Sequence, residues 1–330
     1  MAPPSLHPSL PSLAEDLVIV EAELRNAVIC DDPLLTEIAG HLIKAGGKRV
    51  RPSFAIASAA AQAGGEAAAA HDVVMGAVSV ELVHLGSLYH DDVMDEASTR
   101  RTVESVNARW GNLKAILAGD FLLARASEIA ASLGTEVAAL LAATISRLCE
   151  GQVRELEQAY NVGRTVESYF ASISGKTASL LAASCRIGAI VGGLPRPHVE
   201  ALTAFGHDFG VAFQIVDDIL DVIASDEQLG KPAGLDLVQG VYTLPVLCAL
   251  DGESAGELRR LLGRPLEGEQ LLAARALVQA NGAVPSAFAA AQHHAERASQ
   301  ALRAVDGTPG AAALRTAADE LLGRVSAVGA

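Results

Sequence analysis

Aromatic residues make up only 4% of the chain, with one tryptophan, and β-branched residues are sparse beside abundant alanine. That balance works against a strand ladder and favours helix. Cysteine is scarce as well. Cys30, Cys149, Cys185 and Cys248 lie far apart with no C-x-x-C pair, which argues against a zinc site or disulfide framework and for buried free thiols in a reducing compartment. Positive charge is in deficit, 25 Lys and Arg against 39 Asp and Glu for a net charge of −14, so nucleic acid is not an expected partner. No apolar run reaches the roughly 18 residues of a membrane span, Arg186 interrupting the best candidate, and the first residues carry no secretory-leader pattern. These absences describe a soluble cytoplasmic protein with no transmembrane segment.

What remains is helical. The 330 residues are 50% hydrophobic, ample for a core. Residues 1–12 are rich in Pro and Ser and are expected to be loose. From Ala14 onward Leu17, Val20, Leu24 and Val28 fall on one helical face. Asp32-Pro33 supplies an N-cap and a first-turn proline for a helix carrying Leu34, Leu35, Ile38, Leu42 and Ile43 to Gly46-Gly47. Gly64-Gly65 ends the next helix. A long helix is predicted from about Asp72 to Asp95, with others near 112–132, 136–160, 165–190 and 198–224, and more helical segments between glycine breaks beyond Leu235. About a dozen helices with no Pro-, Gly- or charge-rich linker predict an all-α fold with one domain over residues 13–330.

Two acidic stretches carry the chemistry. Asp91, Asp92 and Asp95 stand at i, i+1 and i+4, and Asp217, Asp218 and Asp221 repeat that spacing 126 residues later, each time behind an apolar run. Positions i and i+4 point the same way on a helix, so each triplet is expected to form an acidic cluster on one face. Crowded, half-buried carboxylates call for a cation, and oxygen-only ligands favour Mg²⁺, which held by few carboxylates commonly bridges to phosphates. The spacing is not that of an EF-hand. The repetition weighs against two unrelated solvated faces and predicts a shared metal site with a diphosphate substrate.

In so acidic a chain, basic residues near a motif are informative. Gly46-Gly47-Lys48-Arg49-Val50-Arg51-Pro52 is a glycine turn feeding a helix, a place where backbone N–H groups, a lysine and arginine forks can meet an anion. It lacks the spacing of a Walker A loop. Arg100 and Arg101 follow the first triplet. Lys176, in Ser174-Gly175-Lys176-Thr177, stands within an apolar helical stretch and needs an anion or a path to water. His84 lies two turns before Asp91 on the same side of its helix.

These residues resemble the all-trans isoprenyl diphosphate synthases, the polyprenyl synthetase family, over nearly the whole chain. The stretches GGKRVRP at 46–52, ELVHLGSLYHDDVMDEASTRR at 81–101, NARWGNLKAILAGDFLLARA at 107–126, SGKTASLLA at 174–182, GVAFQIVDDILD at 210–221 and LGKPAGLDL at 229–237 carry the likeness. The resemblance implies an isoprenoid synthase-type helical bundle around a deep central cavity, with the motifs facing each other across its mouth. It further implies that all six aspartates hold Mg²⁺ on an allylic prenyl diphosphate, with Arg100, Lys176 and Lys231 adding charge. Lys48, Arg51, His84 and Arg101 would bind isopentenyl diphosphate, Thr177 and Gln214 would line the reacting end, and the enzyme would be a homodimer. The implied activity is prenyl transfer through an allylic cation, the last proton leaving with pyrophosphate.

One position departs from the pattern: many relatives carry Lys where Val241 stands, in Gln239–Pro245. Ser87 is one turn, and Val83 two turns, before Asp91 on the same face. Gly86 and Ser87 occupy positions where bulky aromatics in the family close the cavity. Their smallness predicts a long product, about C30 or longer, of the kind used as a quinone side chain, with the cavity floor near Leu122, Leu123 or Ala126. The competing readings are a geranylgeranyl-type short-chain synthase, a terpene synthase on the same fold, a non-catalytic partner subunit and a structural metal-binding protein. The complete isopentenyl-binding set and both complete motifs argue against the last three.

Overall fold

The computed structural model describes residues 10–65, 68–229, 232–252, 255–280 and 282–328. It is all-α. Three helices form its centre: the first-motif helix His71–Met94, the helix Ser179–Val191, and the second-motif helix Arg196–Ile223. Ten of the thirteen residues of the middle one are buried, as expected of a helix covered on all sides. Around them stand Val50–Ala59, Asn112–Ser132, Thr135–Glu157, Ala283–Ala301 and Pro309–Ser326. Phe54 packs on Phe209 with ring centroids 4.6 Å apart and on Phe205 at 5.8 Å, joining the helix Val50–Ala59 to the second-motif helix.

Local chemistry accounts for several boundaries. Asp32 caps Pro33–Ala39 by accepting the N–H groups of Leu34 at 2.8 Å and Leu35 at 3.1 Å. The helix expected to run on to Gly46 breaks at Gly40 into Pro33–Ala39 and His41–Lys44, a residue that costs about 1 kcal/mol in a helix interior. Leu10 is fully buried, so the packed chain begins before residue 13, earlier than the composition of 1–12 suggested. The first-motif helix has the length and apolarity of a membrane span, but 72% of its apolar window is buried inside the protein. It is a core helix, and the sequence placed its best candidate span elsewhere, around Arg186.

Two further corrections matter for the site. A short antiparallel ribbon, Thr99–Arg100 with Val103–Glu104, follows the first motif. The predicted helix 165–190 is three pieces: Val166–Ile173, a π-turn over Ser174–Ala178, and Ser179–Val191. The π-turn lies directly on the helix Thr135–Glu157. A Cβ on Gly151 would come within 2.5 Å of the Lys176 nitrogen, and one on Gly175 within 2.7 Å of the Arg147 carbonyl oxygen. Two glycines thus allow backbone-to-backbone contact and fix where Lys176 emerges.

Candidate active site

At the first motif, Asp91 and Asp95 follow the half-exposed residues His84, Ser87 and Leu88 along one side of the helix. Asp92 does not join them. One residue on, it is turned about 100° around the axis and fully buried, where it accepts Arg100 Nε at 2.7 Å. The expected three-aspartate face is therefore a pair, Asp91 and Asp95, and Arg100 is engaged by the motif itself. Burial pushes the Asp91 carboxyl above its ordinary value, with Lys176 pulling the other way.

The second motif is arranged differently. Asp217 is 39% exposed and accepts Arg324 Nη2 at 2.8 Å, from the last helix. Asp218 is buried; it accepts the Tyr169 hydroxyl at 2.6 Å and Gln214 Nε2 at 2.8 Å. Burial raises its pKa to about 7, against these two hydrogen bonds. Asp221, also buried, accepts the Asp236 N–H at 3.2 Å. Here too the sequence expected one acidic face, and only Asp217 lies on the more open side.

The motifs meet at the π-turn. Lys176 Nζ donates to Glu155 at 2.6 Å. Burial works against its charge, but Glu155, Asp91 and Asp95 outweigh it and hold its pKa above the ordinary lysine value. The next residue, Thr177, donates to Gln214 Oε1 at 2.7 Å, and Gln214 holds Asp218. Consecutive residues are thus tied to opposite motifs, and the field of Glu155 reaches both Asp91 and Asp218.

Arg51, Arg101 and His84 come together. Burial lowers Arg51 to about 10, opposed by Glu81. His84 is pushed well below the ordinary histidine value by burial and then by Arg51, Arg101, Arg100 and Arg49, so it is neutral at pH 7. Arg101 Nη1 donates to the Leu42 carbonyl at 3.2 Å and to that of Gly46, and Gly47 gives it room. Arg49 is a strut, donating to Glu21, to Glu81 at 2.8 Å and to the Ile43 carbonyl at 3.3 Å. Lys48 lies within the fields of Arg324 and Asp217. Lys231 lies outside the described residues. Glu155, Tyr169 and Arg324 were not anticipated from sequence, where each is an ordinary polar residue on a helix far from either motif.

The chain-length positions need correction. A Cβ on Gly86 would stand 3.1 Å from the Gly119 carbonyl oxygen and 3.2 Å from Leu123, so Gly86 seats one helix on another and does not open a channel. Val83, Leu122 and Ala126 have no exposed area and no water-filled passage runs past them. Ser87 is half-buried on the same side as Asp91, its hydroxyl donating to the His84 carbonyl at 2.8 Å.

Among the described residues no three carboxylate, imidazole or thiol groups are gathered into a ready cation cage. The donor chemistry nonetheless fits a hard divalent ion. Asp91 and Asp95 lie one turn apart with a lysine ammonium in their field, Asp91 is a half-buried carboxylate with a raised pKa, and Asp217 sits beside two further cations.

The polyprenyl synthetase family model matches residues 32–278. The chain belongs to the polyprenyl synthetase family. It is 40% identical over 298 residues to heptaprenyl diphosphate synthase component 2 of Geobacillus stearothermophilus, covering 90% of this chain and 91% of that one. It is also 40% identical over 309 residues to nonaprenyl diphosphate synthase of Mycobacterium tuberculosis, covering 93% and 90%. Its fold matches the crystal structure of a polyprenyl synthase from Caulobacter crescentus complexed with calcium and isoprenyl diphosphate, with a TM-score of 0.89, 31% identity and coverage of 98% of both chains. As a polyprenyl synthetase it is a prenyltransferase, and the all-α isoprenoid synthase fold expected from the sequence is the one found.

Proposed function

We propose that the protein condenses isopentenyl diphosphate with an allylic prenyl diphosphate, dependent on Mg²⁺, and extends the product to a long all-trans chain. One observation carries the reading: Lys176 and Thr177, adjacent in a π-turn, tie the two aspartate motifs to one place. Asp91, Asp95 and Asp217 would hold the metal; Asp92, Asp218 and Asp221 support them from behind. Bound there, Mg²⁺ supplies charge stabilisation to the departing diphosphate. Lys176 adds a cation on that side, held charged by Glu155 and the first motif, where charge develops as the C–O bond ionises. Arg51, Arg101 and Lys48 bind the second diphosphate by charge, and neutral His84 offers it a hydrogen-bond donor. Phe213, whose ring centre lies 5.6 Å from the Arg324 guanidinium carbon, and Leu88, both half-buried, help keep water from the allylic cation.

The long product is supported by relatives named as a heptaprenyl diphosphate synthase component and a nonaprenyl diphosphate synthase and by the small Ser87 below Asp91. Packing around Val83, Leu122 and Ala126 must loosen for a chain to pass. Ser87→Phe is expected to shorten the product, and Gly86→Phe to disturb the contact with Gly119 as well.

We further propose a cytoplasmic homodimer. The free state of all four cysteines suits a reducing compartment. Leu113 at 79% exposed and Leu117 at 64%, with Ile116 on the same helix, offer an apolar face to a second copy. Light scattering checks this: a monomer, or activity only with a different subunit, would sink it.

Labelled isopentenyl diphosphate with allylic primers of several lengths, with and without a chelator, tests the central reading. Elongated products that vanish on chelation are expected. No incorporation would point to a lyase or a dependent subunit, and products stopping at C20 would reject the long chain.

A further inference from the structure

Arg164 precedes the helix Val166–Ile173 and is only 6% exposed. Its Nη1 donates to the Tyr242 carbonyl at 3.1 Å, and its guanidinium carbon lies 5.6 Å from the centre of the Tyr169 ring. Its Nε and Nη2 are buried without a protein partner. A guanidinium is always charged and carries five donors in a fixed fork. Leaving such donors unpaired in the interior is costly, more so than for a neutral group. An arrangement of this kind calls for an acceptor from outside the chain.

The neighbours indicate which acceptor. The carboxylates whose fields reach Arg164 include Glu155, Asp218 and Asp236. Glu155 is engaged by Lys176, and Asp218 by Tyr169 and Gln214, so neither takes the free donors of Arg164. The carbonyl it does hold belongs to Gln239–Pro245, the segment in which Val241 presents an apolar side chain. That segment is wired to the motif: the Val241 N–H donates to the Asp236 carbonyl at 2.8 Å, and the Asp236 N–H to Asp221 at 3.2 Å. The fork of a guanidinium matches the oxygen pair of a phosphate.

We propose that Arg164 is a further diphosphate-binding residue, its two unpaired donors taken up by diphosphate oxygens at the second aspartate motif, where it supplies positive charge to the segment that Val241 leaves neutral. The inference rests on the prenyl-transfer reading above.

Calorimetric titration of inorganic pyrophosphate with Mg²⁺ into the full-length protein tests it. Arg164→Gln is expected to weaken pyrophosphate binding about tenfold, the scale of one charge-assisted hydrogen bond. Arg164→Lys keeps the charge without the fork and is expected to lose less. Adding Val241→Lys to Arg164→Gln is expected to recover most of the loss. Wild-type affinity in Arg164→Gln, with a lowered melting temperature, would make Arg164 a strut for the Tyr242 carbonyl and overturn the proposal. If that variant does not fold, wild-type affinity in Arg164→Lys overturns it instead. Wild-type protein that binds pyrophosphate but incorporates no isopentenyl diphosphate would reject prenyl transfer and leave Arg164 to be judged by its own titration.

Discussion

Asp91 and Asp217 take the first position in their motifs and Asp92 and Asp218 the second, yet their surroundings differ. In the first motif two aspartates lie on the open side of the helix and the third is held by a single arginine. In the second, one aspartate is half exposed, and the others are buried under a tyrosine, a glutamine and a backbone N–H. The same i, i+1, i+4 spacing therefore produces a receptive cluster at one place and an anchored one at the other. Spacing sets the angle between carboxylates; the neighbouring elements decide which angle faces the substrate.

Four measurements break or sharpen that contrast. Asp91→Asn should lower turnover by about 10³-fold, roughly 4 kcal/mol of lost transition-state stabilisation, with little change in melting temperature. A large loss of stability would contradict the receptive role. Asp218→Ala should do the reverse in kind. It strands the Tyr169 hydroxyl and the Gln214 amide in the interior at roughly 1–3 kcal/mol each, so thermal unfolding should move down by several degrees along with activity. Tyr169→Phe removes one of those two bonds and should show a smaller version, roughly 1–3 kcal/mol, readable as a lower denaturation midpoint with an unchanged denaturant slope. An unaltered midpoint would mean that Asp218 is anchored by Gln214 alone. The smallest effect belongs to His84. Its folded pKa is depressed, so the unfolded chain binds the extra proton as pH falls below about 6.5, and stability drops there at up to roughly 1.4 kcal/mol per pH unit. His84→Asn should remove that share of the slope, seen by comparing the stability of the two proteins at pH 5.5 and 7.5.

The sequence announced some of this and concealed the rest for physical reasons. The helix predicted at 112–132 is found as Asn112–Ser132, because its apolar period is regular and a glycine stands before it. The cap at Asp32 is local chemistry and was equally plain. The single acidic face was a misreading, since i+1 is a quarter-turn away however suggestive the triplet. The ribbon at 99–104 is too short to carry a period. Partnerships such as Lys176 with Glu155 or Asp217 with Arg324 join residues 21 and 107 positions apart, and one charged helix residue resembles another until the chain is folded. The roles of Lys48, Arg51 and Arg101 came from likeness to a family; that Lys48 lies in the fields of Arg324 and Asp217 required the packing.

The π-turn at Ser174–Ala178 holds one residue more than regular winding would need. Losing a single codon there would let the helix rewind smoothly, with every charged group still encoded. The halves on either side would keep their faces, but the residues within the turn would be re-aimed, so that Lys176 and Thr177 could no longer answer to two motifs at once. The reaction depends here on a count of residues, which point substitution leaves intact and a one-residue deletion destroys.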